Sequence, residues 1–148
     1  MWGNKSAAKA VEWSGVSTKL LTASYVASDE MIVDFPKRMT IFPYYSAGGA
    51  ETGNTLGFVL EVNPLDLASD PTGAYWSQIG GFTNSSGTYS EQSSDFIIAQ
   101  GTAGVYRGGV PLDYTNLNAA RIRFKCKENG VDTNYGSVRI WVVKADLT

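Results

Sequence analysis

The acidic side chains are the residues of this chain that could support catalysis, because the sequence contains no histidine. That absence removes the usual general base near neutral pH and the Ser-His and Cys-His nucleophile pairs. Two carboxylates at a suitable separation can still hydrolyse a glycoside. Six acids are candidates for such a pair: Glu51, Glu61, Asp66, Asp70, Glu91 and Asp95. Nothing in their spacing selects two of them, so ordinary solvated acids are the preferred interpretation and we predict a protein that is not an enzyme.

Metal and cofactor sites are also not expected. A single cysteine and no histidine leave too few soft ligands for a transition metal. Asp66 and Asp70 share one loop, but the alternating acidic ligands of a calcium loop are missing. Cys126 lies on the apolar side of an alternating segment, where a free cysteine behaves as a small hydrophobic residue. We expect no cofactor and a buried, unreactive thiol.

The segment RIRFKCK, residues 121–127, carries a basic side chain at every second position. Successive side chains of a strand point to opposite faces, so this pattern predicts a strand with one core face and one charged face. The core set is Ile122, Phe124 and Cys126. The charged set, predicted to face outward, is Arg121, Arg123, Lys125 and Lys127. The closing strand continues the pattern, with Arg139 and Trp141 outward.

Three interpretations of the charged set remain open. A solvated sheet face needs no partner, and its Lys and Arg side chains discourage edge pairing with other chains. Binding of single-stranded nucleic acid favours interleaved aromatic residues and a basic excess, whereas the net charge is −2. Pairing with acidic loops of a neighbouring copy would set register and partner choice. We predict no nucleic-acid partner and an interface set of Trp2, Trp13, Arg121, Arg123, Lys125, Lys127, Arg139 and Trp141.

Tyr75 and Trp76 follow the turn-forming sequence DPTG and suggest an alternative site. Exposed aromatic rings stack on the apolar faces of sugars, so these two residues could form a carbohydrate-binding surface. The competing interpretation is that such aromatic residues fill the core or cap the ends of the fold.

Period-two alternation of β-branched and aromatic residues dominates the chain and predicts strands. The predicted strands span 17–26, 30–35, 39–45, 55–62, 74–79, 95–100, 121–128 and 136–144, and the strand over 95–100 could extend past GTAG into 105–107. Residues 63–73 and 80–94 are predicted loops, and 108–120 is a connection that could hold one helical turn. Short strands without crossover helices predict an all-β fold, a single-domain antiparallel β-sandwich of the jelly-roll type.

The predicted sandwich domain spans residues 17–148, preceded by an N-terminal arm over 1–16 that docks on a neighbour or frays. At 148 residues the chain can bury roughly 70% of its unfolded surface. No apolar run is long enough for a signal peptide or a membrane span. We therefore expect synthesis in a cytoplasm, no secretion and no membrane partner.

Three stretches of sequence resemble small β-sandwich structural proteins of tailed bacteriophages, of the head-decoration or minor capsid type. They are ETGNTL leading into a strand, Trp76 after the DPTG turn, and the closing hairpin with its Gly-rich polar loop. The resemblance covers roughly residues 17–144 and implies no active-site residue. It implies a virion protein that is homo-oligomeric and binds a major capsid or other virion protein. The alternative is a carbohydrate-binding, lectin-like module used in attachment to a host surface.

Overall fold

Two antiparallel β-sheets pack face to face in a computed structural model of the chain. The structure describes residues 8–33, 37–49, 51, 53–79, 81–85, 88–92, 94–97, 105–108, 111–131 and 133–146. These residues form fourteen strands and no helix. The strands are β1 (Ala8–Ala10), β2 (Lys19–Leu20), β3 (Val26–Ala27), β4 (Met31–Ile32), β5 (Lys37–Ser46), β6 (Thr55–Asn63), β7 (Ser77–Ile79), β8 (Gly81–Ser85), β9 (Thr88–Gln92), β10 (Ser94–Ile97), β11 (Arg107–Gly108), β12 (Leu112–Leu117), β13 (Arg121–Asn129) and β14 (Ser137–Asp146).

The first sheet, sheet I, is built around β14 and β5, which pair over ten residues. β1 and β2 share the outer edge of β14, and β11 and β12 share the outer edge of β5. Sheet II is built around β6 and β13 in the same way, with β7 and β10 beside β6 and with β3 and β4 beside β13. Each sheet therefore has four rows of backbone.

The order of the rows gives a jelly roll. The chain begins in sheet I with β1 and β2, crosses to β3 and β4 of sheet II, and returns to sheet I at β5. It passes through β6, β7 and β10 of sheet II, returns to sheet I at β11 and β12, and ends by crossing to β13 and back to β14. Two sheets of four rows joined by such crossings form two Greek keys. The predicted antiparallel sandwich is confirmed.

The core lies between the sheets and contains the inward side chains of the central strands. Ile122 and Phe124 are fully buried and Cys126 is 1% exposed, so the predicted core face of β13 is confirmed. Phe124 packs on Phe58 of β6 with ring centroids 5.3 Å apart. Burial raises the pKa of the Cys126 thiol, which keeps it protonated and therefore unreactive.

The predicted strand over 17–26 is wrong as a single element. The structure has β2 on sheet I and β3 on sheet II instead, because the chain crosses between the sheets here. A local turn accompanies the crossing: the backbone N–H of Ser24 donates to the Thr22 hydroxyl at 3.2 Å. A turn formed by side-chain hydrogen bonds to the backbone competes with strand pairing.

Two predicted connections contain strands. In 108–120, where one helical turn was considered, β12 pairs with β5 across a register shift between Tyr114 and Leu117. Leu112 and Tyr114 of this strand pack against the core cluster. The polar stretch 80–94 contains a hairpin of β8 and β9. In both cases backbone pairing outweighs the polar composition that indicated a loop.

Residues 8–16 of the predicted N-terminal arm lie within the fold of their own chain. β1 pairs with Trp141, Val142 and Val143 of β14. Trp13 is 6% exposed and belongs to the core cluster. Contact of the arm with a neighbouring copy stays a prediction. Trp13 itself could take part only by leaving this core, and Trp2 lies outside the described residues.

Candidate interaction faces

The loop of residues 63–76 lies on the outer face of sheet II and is anchored there by Asp70. This carboxylate is 2% exposed. It accepts a hydrogen bond from Asn63 Nδ2 at 2.7 Å and from the backbone N–H groups of Ala74 at 2.9 Å and Tyr75 at 3.2 Å. A buried charge needs such partners to offset its lost hydration. Asp70 therefore fixes both the start and the end of the loop.

Arg121 of β13, in the sheet that the loop covers, supplies the rest of this anchor. Its Nη2 donates to the Asp70 backbone oxygen at 2.8 Å and lies 3.3 Å from the Asp70 carboxylate. Its Nη1 contacts Glu30 at 2.7 Å, and its Nε donates to the Leu65 carbonyl at 3.0 Å. Arg121 is 2% exposed. The expectation of an exposed side chain here is wrong, because the loop covers this end of the basic strand.

The environment of the loop lowers the pKa values of its two aspartates. Burial acts to raise the pKa of Asp70, but the hydrogen bonds from Asn63, Ala74 and Tyr75 and the charge of Arg121 together lower it below its ordinary value. The pKa of Asp66 is lowered by hydrogen bonds from Ser69. Both carboxylates are therefore charged at neutral pH.

Trp76 covers the same strand by stacking on its guanidinium groups. The Arg123 guanidinium carbon lies 4.3 Å from the ring centroid, and that of Arg121 lies 5.1 Å away. Gly73, three residues before Trp76, has a φ of 70°. A Cβ at this position would lie 3.0 Å from the Trp76 indole nitrogen. Tyr75 is 59% exposed. Of the two predicted sugar-binding residues, Tyr75 projects into solvent, whereas Trp76 is engaged by its own chain.

The other basic side chains of β13 also have partners on this face. Glu61 of β6 lies 2.8 Å from Arg123 and 3.4 Å from Lys125. The Lys127 ammonium lies 4.7 Å from the ring of Tyr25. We call this outer surface of sheet II, with its covering loop, the charged face. The predicted contact of these basic residues with a neighbouring copy stays a prediction, and the acids that pair with them here belong to the same chain.

Of the remaining candidate catalytic acids, Glu51 and Asp66 accept hydrogen bonds from backbone N–H groups. Glu51 is 7% exposed and accepts the backbone N–H groups of Thr133 at 2.5 Å and Asn134 at 2.7 Å. Asp66 accepts the backbone N–H of Ser69 at 2.8 Å. Glu91 and Asp95 lie on β9 and β10, and their side chains are outside the described part of the structure. The predicted absence of catalysis stays a prediction.

A buried carboxylate that sequence reasoning missed is Glu128, at an inward position of β13. It is 3% exposed, accepts the hydroxyl of Tyr45 and accepts the backbone N–H of Gly136 at 2.7 Å. Burial, with the hydrogen bond to Glu128, raises the pKa of Tyr45. The available signal was an acid continuing the core side of the alternation RIRFKCKE. Such a position requires a buried polar partner.

The outer surface of sheet I, which we call the aromatic face, is different in character. Residues directly opposite in an antiparallel pair share a face, and the register pairs Trp141 with Phe42 and Arg139 with Tyr44. The Arg139 guanidinium carbon lies 4.2 Å from the Tyr106 ring centroid, and its Nε donates to the Thr18 hydroxyl at 2.9 Å. Trp141 is 40% exposed. The two closing-strand residues of the predicted interface set thus lie side by side on an accessible surface.

Neither a metal site nor a membrane-spanning helix occurs in the part of the chain that the structure describes. No group of three or more His, Cys, Asp or Glu residues there could hold a metal ion. No helix among the same residues has the length and apolarity to cross a membrane.

Comparison with known proteins identifies no family. No protein-family model matches the chain, and no curated protein matches it. Among solved structures, it is similar to a chain in the structure of infectious bursal disease virus Gt strain, with a TM-score of 0.44 and 8% sequence identity. The match covers 95% of this chain and 32% of the viral chain. This chain therefore spans about a third of that one, and the similarity is too distant to bear on function.

Proposed function

We propose that the protein is a non-enzymatic structural component of a phage virion, a capsid decoration or minor capsid protein that binds the head as a homo-oligomer. The observation that carries the proposal is that the buried carboxylates bind groups of the fold itself. The described residues include four buried carboxylates, Glu51, Glu61, Asp70 and Glu128.

Each of these carboxylates is engaged by groups that hold the sandwich together. Glu51 and Glu128 accept backbone N–H groups of the loop before β14. Glu61 pairs with neighbouring basic residues on β13, and Asp70 anchors the covering loop through Arg121. A catalytic acid or base must instead be within reach of a proton on the substrate. The charged groups are therefore better suited to a rigid scaffold than to a reaction.

The fold and the sequence resemblance support the same proposal. Jelly rolls occur in viral capsid, lectin and cupin domains, so this support is an analogy at the level of fold. The lectin alternative requires Tyr75 and Trp76 to receive a sugar. Because Trp76 already stacks on Arg123 at 4.3 Å, only Tyr75 offers a plainly accessible ring. The structural role is therefore the better-supported of the two.

The test is co-sedimentation of the purified protein with empty heads of the phage that encodes it, beside a glycan array and ester and glycoside substrates. We expect saturable binding to heads, no glycan signal and no turnover. Trp76→Ala is the control variant, since it removes the ring that the lectin alternative requires. Glycan binding that this variant abolishes, without head binding, would establish the lectin alternative. Turnover lost on changing one of the candidate acids would establish an enzyme.

A further inference from the structure

The aromatic face has the composition of a protein interface. Trp, Tyr, Phe and Arg are enriched at interface centres and among residues that dominate binding energy. Trp141 lies between Phe42 on β5 and Ala10 on β1, and the small Ala10 leaves its ring accessible. Leu20, at the edge beside this face, is 71% exposed. The surface therefore combines paired strands with large aromatic rings.

Two charged groups on this face lie apart from each other. Among the described residues, Arg139 has no carboxylate partner: its guanidinium contacts only the Tyr106 ring and the Thr18 hydroxyl. Asp113 of β12 lies opposite Thr40 and accepts its hydroxyl at 3.1 Å. Asp113 also pairs with Arg38 at 3.3 Å, but both side chains are exposed, 43% and 59% respectively. A further cation can reach this carboxylate.

The positions of Arg139 and Asp113 are related through Phe42. Arg139 lies on β14, the strand next to β5 on one side. It is directly opposite Tyr44, which is two residues from Phe42 along β5. Asp113 lies on β12, the strand next to β5 on the other side. It is directly opposite Thr40, which is two residues from Phe42 in the other direction along β5. From strand spacing and rise, each lies about 8 Å from Phe42, in opposite directions. A two-fold axis that lies in the plane of the face, passes over Phe42 and is perpendicular to the line from Arg139 to Asp113 exchanges the two positions.

We propose that the aromatic face is a two-fold interface between two copies of this chain. Arg139 of each copy pairs with Asp113 of the other, and the Trp141 and Phe42 rings of both copies form the apolar centre. Such an isologous contact uses one surface patch twice and closes the dimer. The proposal deepens and rests on the proposed homo-oligomeric state, for which it supplies the surface.

Sedimentation velocity of the full chain over a range of concentrations tests the interface. We expect a dimer whose dissociation constant rises at least tenfold in Trp141→Ala and in Arg139→Asp. The double variant Arg139→Asp, Asp113→Arg restores the charge pair with its signs exchanged, so it recovers dimerisation relative to either single change. Circular dichroism of each variant checks that the subunit remains folded.

The matched control is Lys127→Glu, which reverses a charge on the opposite face and leaves the dimer unchanged. A monomeric wild-type protein, or a dimer insensitive to Trp141→Ala and Arg139→Asp, would overturn the interface. If Trp141→Ala abolishes binding to phage heads while the wild type is monomeric, the face binds another virion protein. That outcome rejects the two-fold interface and the homo-oligomeric state but retains the proposed role in the virion, whereas a dimer without head binding retains the interface and rejects that role.

Discussion

The charged face and the aromatic face are the outer surfaces of two similar four-row sheets, and each stacks an arginine on an aromatic ring. Arg123 lies 4.3 Å from Trp76 on one, and Arg139 lies 4.2 Å from Tyr106 on the other. They differ in what surrounds that stack. On the charged face a loop of the same chain brings acids to the basic strand, whereas Arg139 has only a ring and a hydroxyl among the described residues. The same residue types thus hold a loop in place on one surface and lie on an exposed surface on the other.

Removal of an arginine from each face gives the largest expected contrast. Arg121→Ala leaves the Asp70 carboxylate buried without its cation, and breaking a buried pair costs about 3–5 kcal/mol. Arg139→Ala removes an exposed side chain and costs well under about 1 kcal/mol in the monomer. Urea unfolding followed by circular dichroism measures both. Equal losses would remove the energetic distinction between the two faces.

The two sides of β13 offer a second contrast. Phe124→Ala should cost about 3–5 kcal/mol, because it leaves a cavity beside Phe58. Lys125→Ala should cost well under about 1 kcal/mol, since its pairing with Glu61 is partly exposed. The measurement is the unfolding free energy of each variant. Similar costs would indicate a register in which the two side-chain sets are exchanged.

Trp76 and Tyr75 are neighbours in the loop of residues 63–76 but are expected to contribute differently to stability. Trp76→Ala should cost about 1–2 kcal/mol, as it removes the ring stacked on Arg121 and Arg123. Tyr75→Ala is the matched control and should leave stability almost unchanged, because Tyr75 is 59% exposed. Thermal unfolding of both variants in parallel makes the comparison. A larger loss for Tyr75→Ala would show that the exposed ring, rather than the stacked one, holds the loop.

A smaller effect is expected from pH. The folded-state pKa of Asp70 is lowered, so its ionisation stabilises the protein above the unfolded-state value of about 4 and loses that contribution as pH falls through the lower folded value. Asp70→Asn should therefore be less stable than wild type at neutral pH, and the difference should shrink in acid. Unfolding free energies measured from neutral pH down to acid test this. A difference in unfolding free energy that does not change with pH would show that Asp70 acts through its shape rather than through its charge.

The long strands could be predicted from sequence because their alternation is strict. In RIRFKCK the apolar residues identify the core face without further information, and Phe124 and Cys126 lie where that pattern places them. The two-residue strands could not be predicted, because β2 and β3 are defined by which sheet edge they reach. Such contacts depend on residues 98 to 119 positions away.

The two faces could be predicted only in part. Alternation placed Arg121 on the outer side of β13, but alternation carries no information about what lies above that side. The cover depends on Asp70, whose partners Asn63 and Arg121 are separated by 58 positions in the sequence. Arg139 and Trp141 were predicted to lie outward, and they do so beside Phe42 and Tyr44, which come from a distant strand.

The central position of β14 in sheet I also has a consequence for biosynthesis. In the pairing of β14 with β5, Ser46 lies opposite Ser137 and Lys37 lies opposite Asp146. Neither pair can form until the residue on β14 has been synthesised. At ribosomal rates of roughly 5–20 residues per second, β5 remains without this partner for about 5–20 s. Pairing over such sequence separations is also slow in itself, typically milliseconds to seconds. The edge of β5 that pairs with β14 therefore stays open in the nascent chain throughout this interval, and the yield of folded protein is expected to depend on chaperones that shield this edge until synthesis reaches β14.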